Sequence, residues 1–370
     1  MKLEESILKI ISEAIMKKAS EQELTEEQVK QLVETYITAI TDRLANFPTS
    51  LTDTLMQKMP EMLNEHRNIQ IEFEQRLQKR WEKALDLYDT CVVIGEECGE
   101  LCAKEHRDQA AKDRDLVFEI LMHIHVKACQ TVSAVGVLLK SGYARDALAR
   151  QRTLHELSVT ASFIKKHGQG TAEQYWLHNA IESYKAVSQY ELYCERLGCD
   201  PHEPAELDQL RSQRDRLIHL FGKVFGEQYG WAAKALGKAR GVKFADIEEN
   251  VNLDHLRPYY RMASHGVHAN SKGLIFDIGN IYRERPGYQK MLLAGASNTG
   301  LADPGQLALI SFTQCTVAFL TLKPDLETQI KTQVLNSFVH EACQAFIEIH
   351  CDLNREEEEL IMVPVSWTGE

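Results

Sequence analysis

Residues 259–273 read YYRMASHGVHANSKG, and ten consecutive positions of that stretch hold Arg261, Ser264, His265, His268 and Asn270. On a helix turning about 100° per residue, Arg261, His265 and His268 stand at i, i+4 and i+7 and share a face about 60° wide. One chemistry such a face can perform is metal-independent RNA cleavage. That reaction needs a group to activate the ribose 2′-hydroxyl and a cation to stabilise the phosphorane charge. His268 and Arg261 supply both types, separated by six residues in Arg261-MASHGV-His268. Two other accounts fit the same residues. His265 and His268 at i,i+3 could share a metal, with a third ligand from Glu156, His125 or Asp277. Alternatively, the stripe is the polar side of an amphipathic helix, its basic residues complementing the dipole at the C-terminal end.

The helix that must carry these residues is predicted from about Asp254 to Ala269. Asp254 is a suitable cap, and Pro258 is tolerated in the first turn. Leu256, Tyr260, Ala263 and Val267 follow 4-3-4 spacing and form its core face, and NSKG ends it.

A second helix, residues 144–167, bears on the same question. Leu154, Leu157, Ala161 and Ile164 make one apolar face, and Leu148, Val159 and Phe163 make another. A helix apolar on two sides is packed on two sides. Arg152 and Glu156, four residues apart, lie within the second stripe, so the pair is expected to be substantially desolvated. It either fixes helix register or takes part in a site.

The rest of the chain reads as helices closed by glycines. Gly142, Gly168 and Gly198 each follow a helical segment as a C′ residue would. Thr171 is read as the cap of the helix that ends at Gly198. The 370 residues include only 9 prolines and 20 glycines, which favours long helices over many short strands. Toward the N-terminus, residues 3–18 and 26–44 carry helical stripes, NFPTS is read as a break, and a further segment covers 51–63. The expected class is all-α: a multi-helix bundle (66–355) preceded by an N-terminal helical arm (1–65) and followed by a solvated acidic tail (356–370). A short strand at GLIFDI is the one exception considered. The last helix is expected over 325–353.

Composition narrows the partners. The net charge of −12 disfavours duplex DNA, because phosphate neutralisation by basic residues supplies most non-specific affinity. It does not bear on one local basic pocket for RNA. The run 305–322 is uncharged and long enough to raise a membrane span, but its Gln, Ser and Thr content fits a buried core helix, and no membrane is expected. Nine cysteines, an odd number with no CxxC pair, read as reduced structural thiols in a cytoplasmic protein.

Taken together, YARDALARQRTLHELSVTASFI, QYWLHNAIESYKA and the stretch from Trp231 to Leu274 resemble a bacterial family of helical proteins known only as a domain of unknown function. That family's Arg-(three residues)-Glu helix is matched by Arg152 and Glu156. Its Tyr-rich helix with Ser-(three residues)-His is matched by Ser264 and His268. The likeness covers roughly 115–325. More remotely, the chain is similar to the HEPN superfamily, helical bundles that include RNases of toxin–antitoxin and phage-defence systems and that typically dimerise around a shared cleft. The residue after the motif arginine is there usually Asn, His or Asp; here it is Met262. The resemblance implies a defence or stress protein whose Arg261 stabilises phosphate charge, whose His268 is the acid/base and whose His265 assists, with Arg152, Glu156, Ser264 and Tyr260 in support. It implies no cofactor and no metal, RNA as a partner, and a homo-oligomer or a partner protein. The alternative is a non-catalytic scaffold or sensor in which Arg152, Glu156, Ser264 and His268 form a buried polar network.

Overall fold

A computed structural model describes residues 12–18, 20, 25–268, 271–275 and 295–362, and among these all regular structure is helical. The chain divides into two compact units, Met1–Phe73 and Glu74–Glu370, and the division falls inside helix α1 (Glu26–Asp113).

That helix departs from the expected break at NFPTS, because it runs through both Pro48 and Pro60. A proline inside a helix removes one i→i−4 hydrogen bond and crowds the preceding turn. The neighbouring turns here carry on, and the Thr52 hydroxyl donates to the Pro48 carbonyl at 2.8 Å.

In the second unit, α1 buries Leu77, Trp81, Ala84, Leu85, Tyr88, Cys91 and Val92, a three- and four-residue rhythm that presents one apolar face. Then come α2 (Leu116–Lys140), α3 (Ala144–His167), α4 (Gln169–Leu177), α5 (Asn179–Glu191), α6 (Cys194–Leu197) and α7 (Pro204–Phe221). Short helices α8 (Ala233–Leu236) and α9 (Phe244–Asn250) lead to α10 (Arg257–Val267) and α11 (Ser271–Ile275). Helices α12 (Ala302–Leu320) and α13 (Leu326–Met362) complete the order. Gly142, Gly168 and Gly198 all have positive φ at the ends of their helices, as C′ residues do.

Other boundaries differ from expectation. The single helix predicted to Gly198 is three pieces, α4 to α6, and Thr171 is buried within α4 rather than capping it. Residues 273–275 of GLIFDI are helical, and 276–278 lie outside the described residues. The acidic stretch after residue 355 continues α13 to Met362, and Glu356 there pairs with Arg80 at 2.6 Å.

Helices α2, α3 and α12 pack on one another, α13 packs on α12, and α10 packs on α3. Phe118, Phe163, Phe312, Phe319 and Phe346 are among the largest fully buried side chains, each stabilising by roughly 1.5–3 kcal/mol. The run 305–322 lies largely in α12 and is mostly buried. By length and composition α2 could cross a membrane, but half of its most apolar window is buried inside the protein. All nine cysteines are unpaired.

Candidate functional site

Arg152 of α3, and His155 and Glu156 one helical turn further on, meet two short helices that α3 itself supports. Helix α3 starts where Gly142 ends α2 and stops at Gly168, so its middle turns lie where α10 and α9 cross it. Helix α10 begins with a 3-10 turn over Asp254–Leu256 and takes Pro258 in its first turn. Its Ala263 is buried with Leu148 of α3 and Leu307 of α12, and Leu256 and Met262 pack against that cluster. The apolar Met262 thus belongs to the seam that fastens α10 down. Val267 is half exposed, so the core face ends a turn earlier than the 4-3-4 spacing implied.

Tyr260 is the hub of the contact. Its hydroxyl donates to Glu156 Oε1 at 2.7 Å and accepts from Arg152 Nη2 at 2.8 Å. Arg152 Nε donates to the same Glu156 oxygen at 3.2 Å, which closes a triangle of charge-assisted hydrogen bonds. The guanidinium lies 4.7 Å from the centre of the Tyr260 ring. Burial raises the Tyr260 phenol well above its usual range, and the Glu156 carboxylate raises it further. For Arg152 burial acts downward, but Tyr260 and Glu156 outweigh it and the guanidinium is held more firmly charged than usual. The pair is less desolvated than expected: the Arg152 and Glu156 side chains keep 24% and 37% of their surface. The two flanking apolar stripes stop short of covering this turn.

A second polar contact lies deeper. His155 Nε2 is 2.8 Å from Glu248 Oε1 of α9, and both side chains are almost fully buried. His155 Nδ1 is left without a hydrogen-bonding partner. Arg257 Nη2 stands 2.5 Å from Glu248 Oε2, close enough for an ion pair but not aligned as a hydrogen bond. The His155 ring is 5.7 Å from Tyr260 and 6.0 Å from Phe244, so the two polar groups adjoin through aromatic contacts. Tyr229, 6.0 Å from Phe244, has its phenol raised by burial first and by Glu156 next.

His155, Glu248 and Arg257 were not singled out from sequence. One signal was present: Gln151, His155 and Ser158 form a polar i, i+4, i+7 stripe, all buried, beside the apolar residues of the same helix. The partner, 93 residues downstream, has no such signal.

The Arg261/His265/His268 stripe is arranged differently from the ideal helix. Helix α10 ends at Val267, and His268 is already extended, with φ −106° and ψ 136°. Its backbone N–H donates to the Ser264 carbonyl at 3.2 Å, while the Ser264 hydroxyl donates back to the Tyr260 carbonyl at 2.8 Å. The Ser-(three residues)-His spacing thus marks a helix C-terminus. Arg261 and His268 are exposed; Ser264 and His265 are half buried. Arg145 of α3 secures this end of α10, donating through Nη2 to the Gly273 carbonyl at 2.8 Å and lying against Gly266. A Cβ on Gly273 would come within 2.1 Å of the His265 carbonyl, so this glycine permits α11 to fold back on α10. Ala269, Asn270 and Asp277 lie outside the described residues. Among the described residues no group of three His, Cys, Asp or Glu side chains is placed to hold a metal ion.

The fold and this contact define an all-α protein whose polar centre joins one long helix to two short ones. Residues 118–281, which carry all of that centre, match the model of a family of unknown function, DUF5677. No curated protein and no solved structure matches the chain.

Proposed function

We propose that this protein is a HEPN-like, metal-independent endoribonuclease acting from the exposed side and end of α10. The observation that supports this reading is the exposure of Arg261 and His268 on an element anchored to α3 by Tyr260. Both side chains are open to solvent, so a substrate meets them without opening the core. In the reaction, His268 takes the proton of a ribose 2′-hydroxyl as that oxygen attacks the adjacent phosphorus. Arg261 stabilises the charge on the phosphorane oxygens. The proton then passes to the departing 5′-oxygen, leaving a 2′,3′-cyclic phosphate and a 5′-hydroxyl. His265, one turn from Arg261, assists. Arg152, Glu156 and Tyr260 hold the helix in place and touch no substrate. RNA as substrate fits a cytoplasmic protein of a phage-defence or toxin–antitoxin system, and pairing of two chains would bring two such sites together.

One observation favours a second reading, a non-catalytic scaffold or sensor. Arg152, Glu156 and Tyr260 satisfy one another, and His155 and Glu248 pair below them, so the polar chemistry of this centre is spent on internal contacts.

The two readings separate when purified protein is incubated with total RNA, with and without EDTA, beside Arg261→Ala and His268→Ala. The nuclease reading expects cleavage that survives EDTA and disappears in both variants. Both side chains are exposed, so both variants should fold. Absence of cleavage by folded wild-type protein would sink the nuclease and leave the scaffold. Cleavage that EDTA abolishes would replace it with a metal-dependent site.

A further inference from the structure

Two cysteines flank the turn that ends α6. The stretch CERLGC, residues 194–199, closes that short helix and directs the chain toward α7. Gly198 is left-handed, with φ 66° and ψ 29°, and its N–H donates to the Glu195 carbonyl at 3.1 Å. The Cys199 N–H donates to the Cys194 carbonyl at 3.0 Å. These two bonds make a Schellman closure, and Cys194 and Cys199 occupy the two positions whose side chains commonly touch in it. With ordinary bond lengths and angles, the 3.0 Å bond holds their Cα atoms roughly 5–6.5 Å apart, within the range a disulfide spans.

Contacts that involve neither thiol fix the return of the chain. The Tyr190 hydroxyl donates to the Asp200 carbonyl at 2.9 Å, and the Tyr190 ring meets His202 edge-on at 4.9 Å. Glu191 Oε1 accepts from the His202 backbone N–H at 3.0 Å. The Tyr190 phenol is raised by burial first and then by Cys199 and Cys194, so both thiols act on one oxygen. The Cys194 thiol donates to the Glu191 carbonyl at 3.4 Å, and that of Cys199 to the Leu197 carbonyl at 3.7 Å. A thiol is a weak donor, so rotation about χ1 that brings the sulfurs together gives up little. The two also differ in access: Cys199 is exposed and Cys194 is buried. An accessible thiol with a second cysteine beside it is the arrangement of an oxidisable residue and its resolving partner.

We infer that Cys194 and Cys199 form a reversible disulfide when the protein meets a peroxide, which makes the turn between α6 and α7 a thiol oxidation site. The Cys199 sulfur attacks one oxygen of hydrogen peroxide and the O–O bond breaks. The other oxygen leaves as water with the thiol proton, and Cys199 becomes a sulfenic acid. The Cys194 sulfur then attacks that of Cys199, the S–O bond breaks, and the hydroxyl leaves as a second water with the Cys194 proton. One peroxide is thus reduced to two waters while two thiols are oxidised to one disulfide. A dithiol reverses the step by exchange, so in a reducing compartment the bond is transient. None of these residues lies on α9 or α10, so this site stands or falls apart from the nuclease reading.

The test treats the reduced full chain with hydrogen peroxide, blocks remaining thiols with N-ethylmaleimide and maps the peptides by mass spectrometry. Wild-type protein should yield peptides joined through Cys194 and Cys199, with both thiols lost together and both restored by dithiothreitol. Cys199→Ala removes an exposed side chain and should fold; in it Cys194 should stay fully alkylated after the same treatment. Cys194→Ser should let dimedone trap a sulfenic acid at Cys199 that wild-type protein does not accumulate. Oxidation of Cys199 with Cys194 still free, or pairing of either with another cysteine, overturns the inference. Equal oxidation of Cys194 in Cys199→Ala also overturns it, and that variant decides alone should Cys194→Ser not fold.

Discussion

At the scale of single residues, depth of burial separates two polar contacts that look alike on paper. Glu156 keeps more than a third of its side-chain surface, whereas Glu248 keeps none and is held between His155 and Arg257. Removing a charge from a buried pair leaves its partner uncompensated, so Glu248→Gln should destabilise by on the order of 3 kcal/mol. Tyr260→Phe removes two hydrogen bonds at a half-exposed site that water can reach, and should cost about 1 kcal/mol. Urea unfolding of the two variants measures both, and a larger loss for Tyr260→Phe would reverse this ranking. A third residue sets an acid limit. His125 is buried against Phe312 and Phe319, and burial depresses its imidazole from 6.5 to about 4. The unfolded chain takes up a proton below about pH 6.5 that the folded chain refuses. The associated stability is therefore fully present above 6.5 and is lost as pH falls toward 4. In His125→Gln the unfolding free energy should be flatter across that window, and equal slopes would place the acid sensitivity elsewhere.

At the scale of elements, helix ends were readable where a glycine closes them. Helix α3 runs from Ala144 to His167 between Gly142 and Gly168, as its pattern predicts, because positive φ at those two positions is a local requirement that residue type reveals. Pro48 misled for the same local reason: a proline weakens one turn, and a helix of 88 residues has many others to sustain it. The Arg152–Glu156 pair was legible from i,i+4 spacing, but its connection to Tyr260 spans more than a hundred residues and has no periodic trace. The crossings of the long helices depend on glycines that sequence presents only as weak helix formers. A Cβ on Gly305 of α12 would sit 2.5 Å from the Phe346 ring of α13, and one on Gly99 of α1 would sit 2.1 Å from the His125 ring of α2. Both rings are buried and cannot swing away. Each glycine-to-alanine change should therefore cost about 1–3 kcal/mol through overpacking, against the gain alanine gives in an exposed helix. Stabilisation by Gly305→Ala in thermal melts would mean that α12 and α13 do not meet this closely.

At the scale of the whole molecule, the two units differ in what they bury. Among the described residues the buried hydrophobic side chains begin at Leu77, while Leu55, Met56, Met59, Met62 and Ile69 are each at least 43% exposed. Leu55, Met59, Met62, His66, Ile69 and Phe73 recur at alternating four- and three-residue steps, the seam of a helix that pairs with another. A largely apolar exposed stripe of this kind, interrupted by His66, calls for a covering surface, and a second copy of the same helix would supply one. Two outcomes follow for a chain that starts at Glu74. It should retain a cooperative thermal transition within a few degrees of the full chain, because the cut falls before Leu77 and frays only one turn. It should also run as a monomer in light scattering, whereas the full chain is expected to run as an oligomer. A non-cooperative melt of the shortened chain would show that residues before Glu74 are part of the folding unit. A monomeric full chain would show that the stripe is not covered by a second copy.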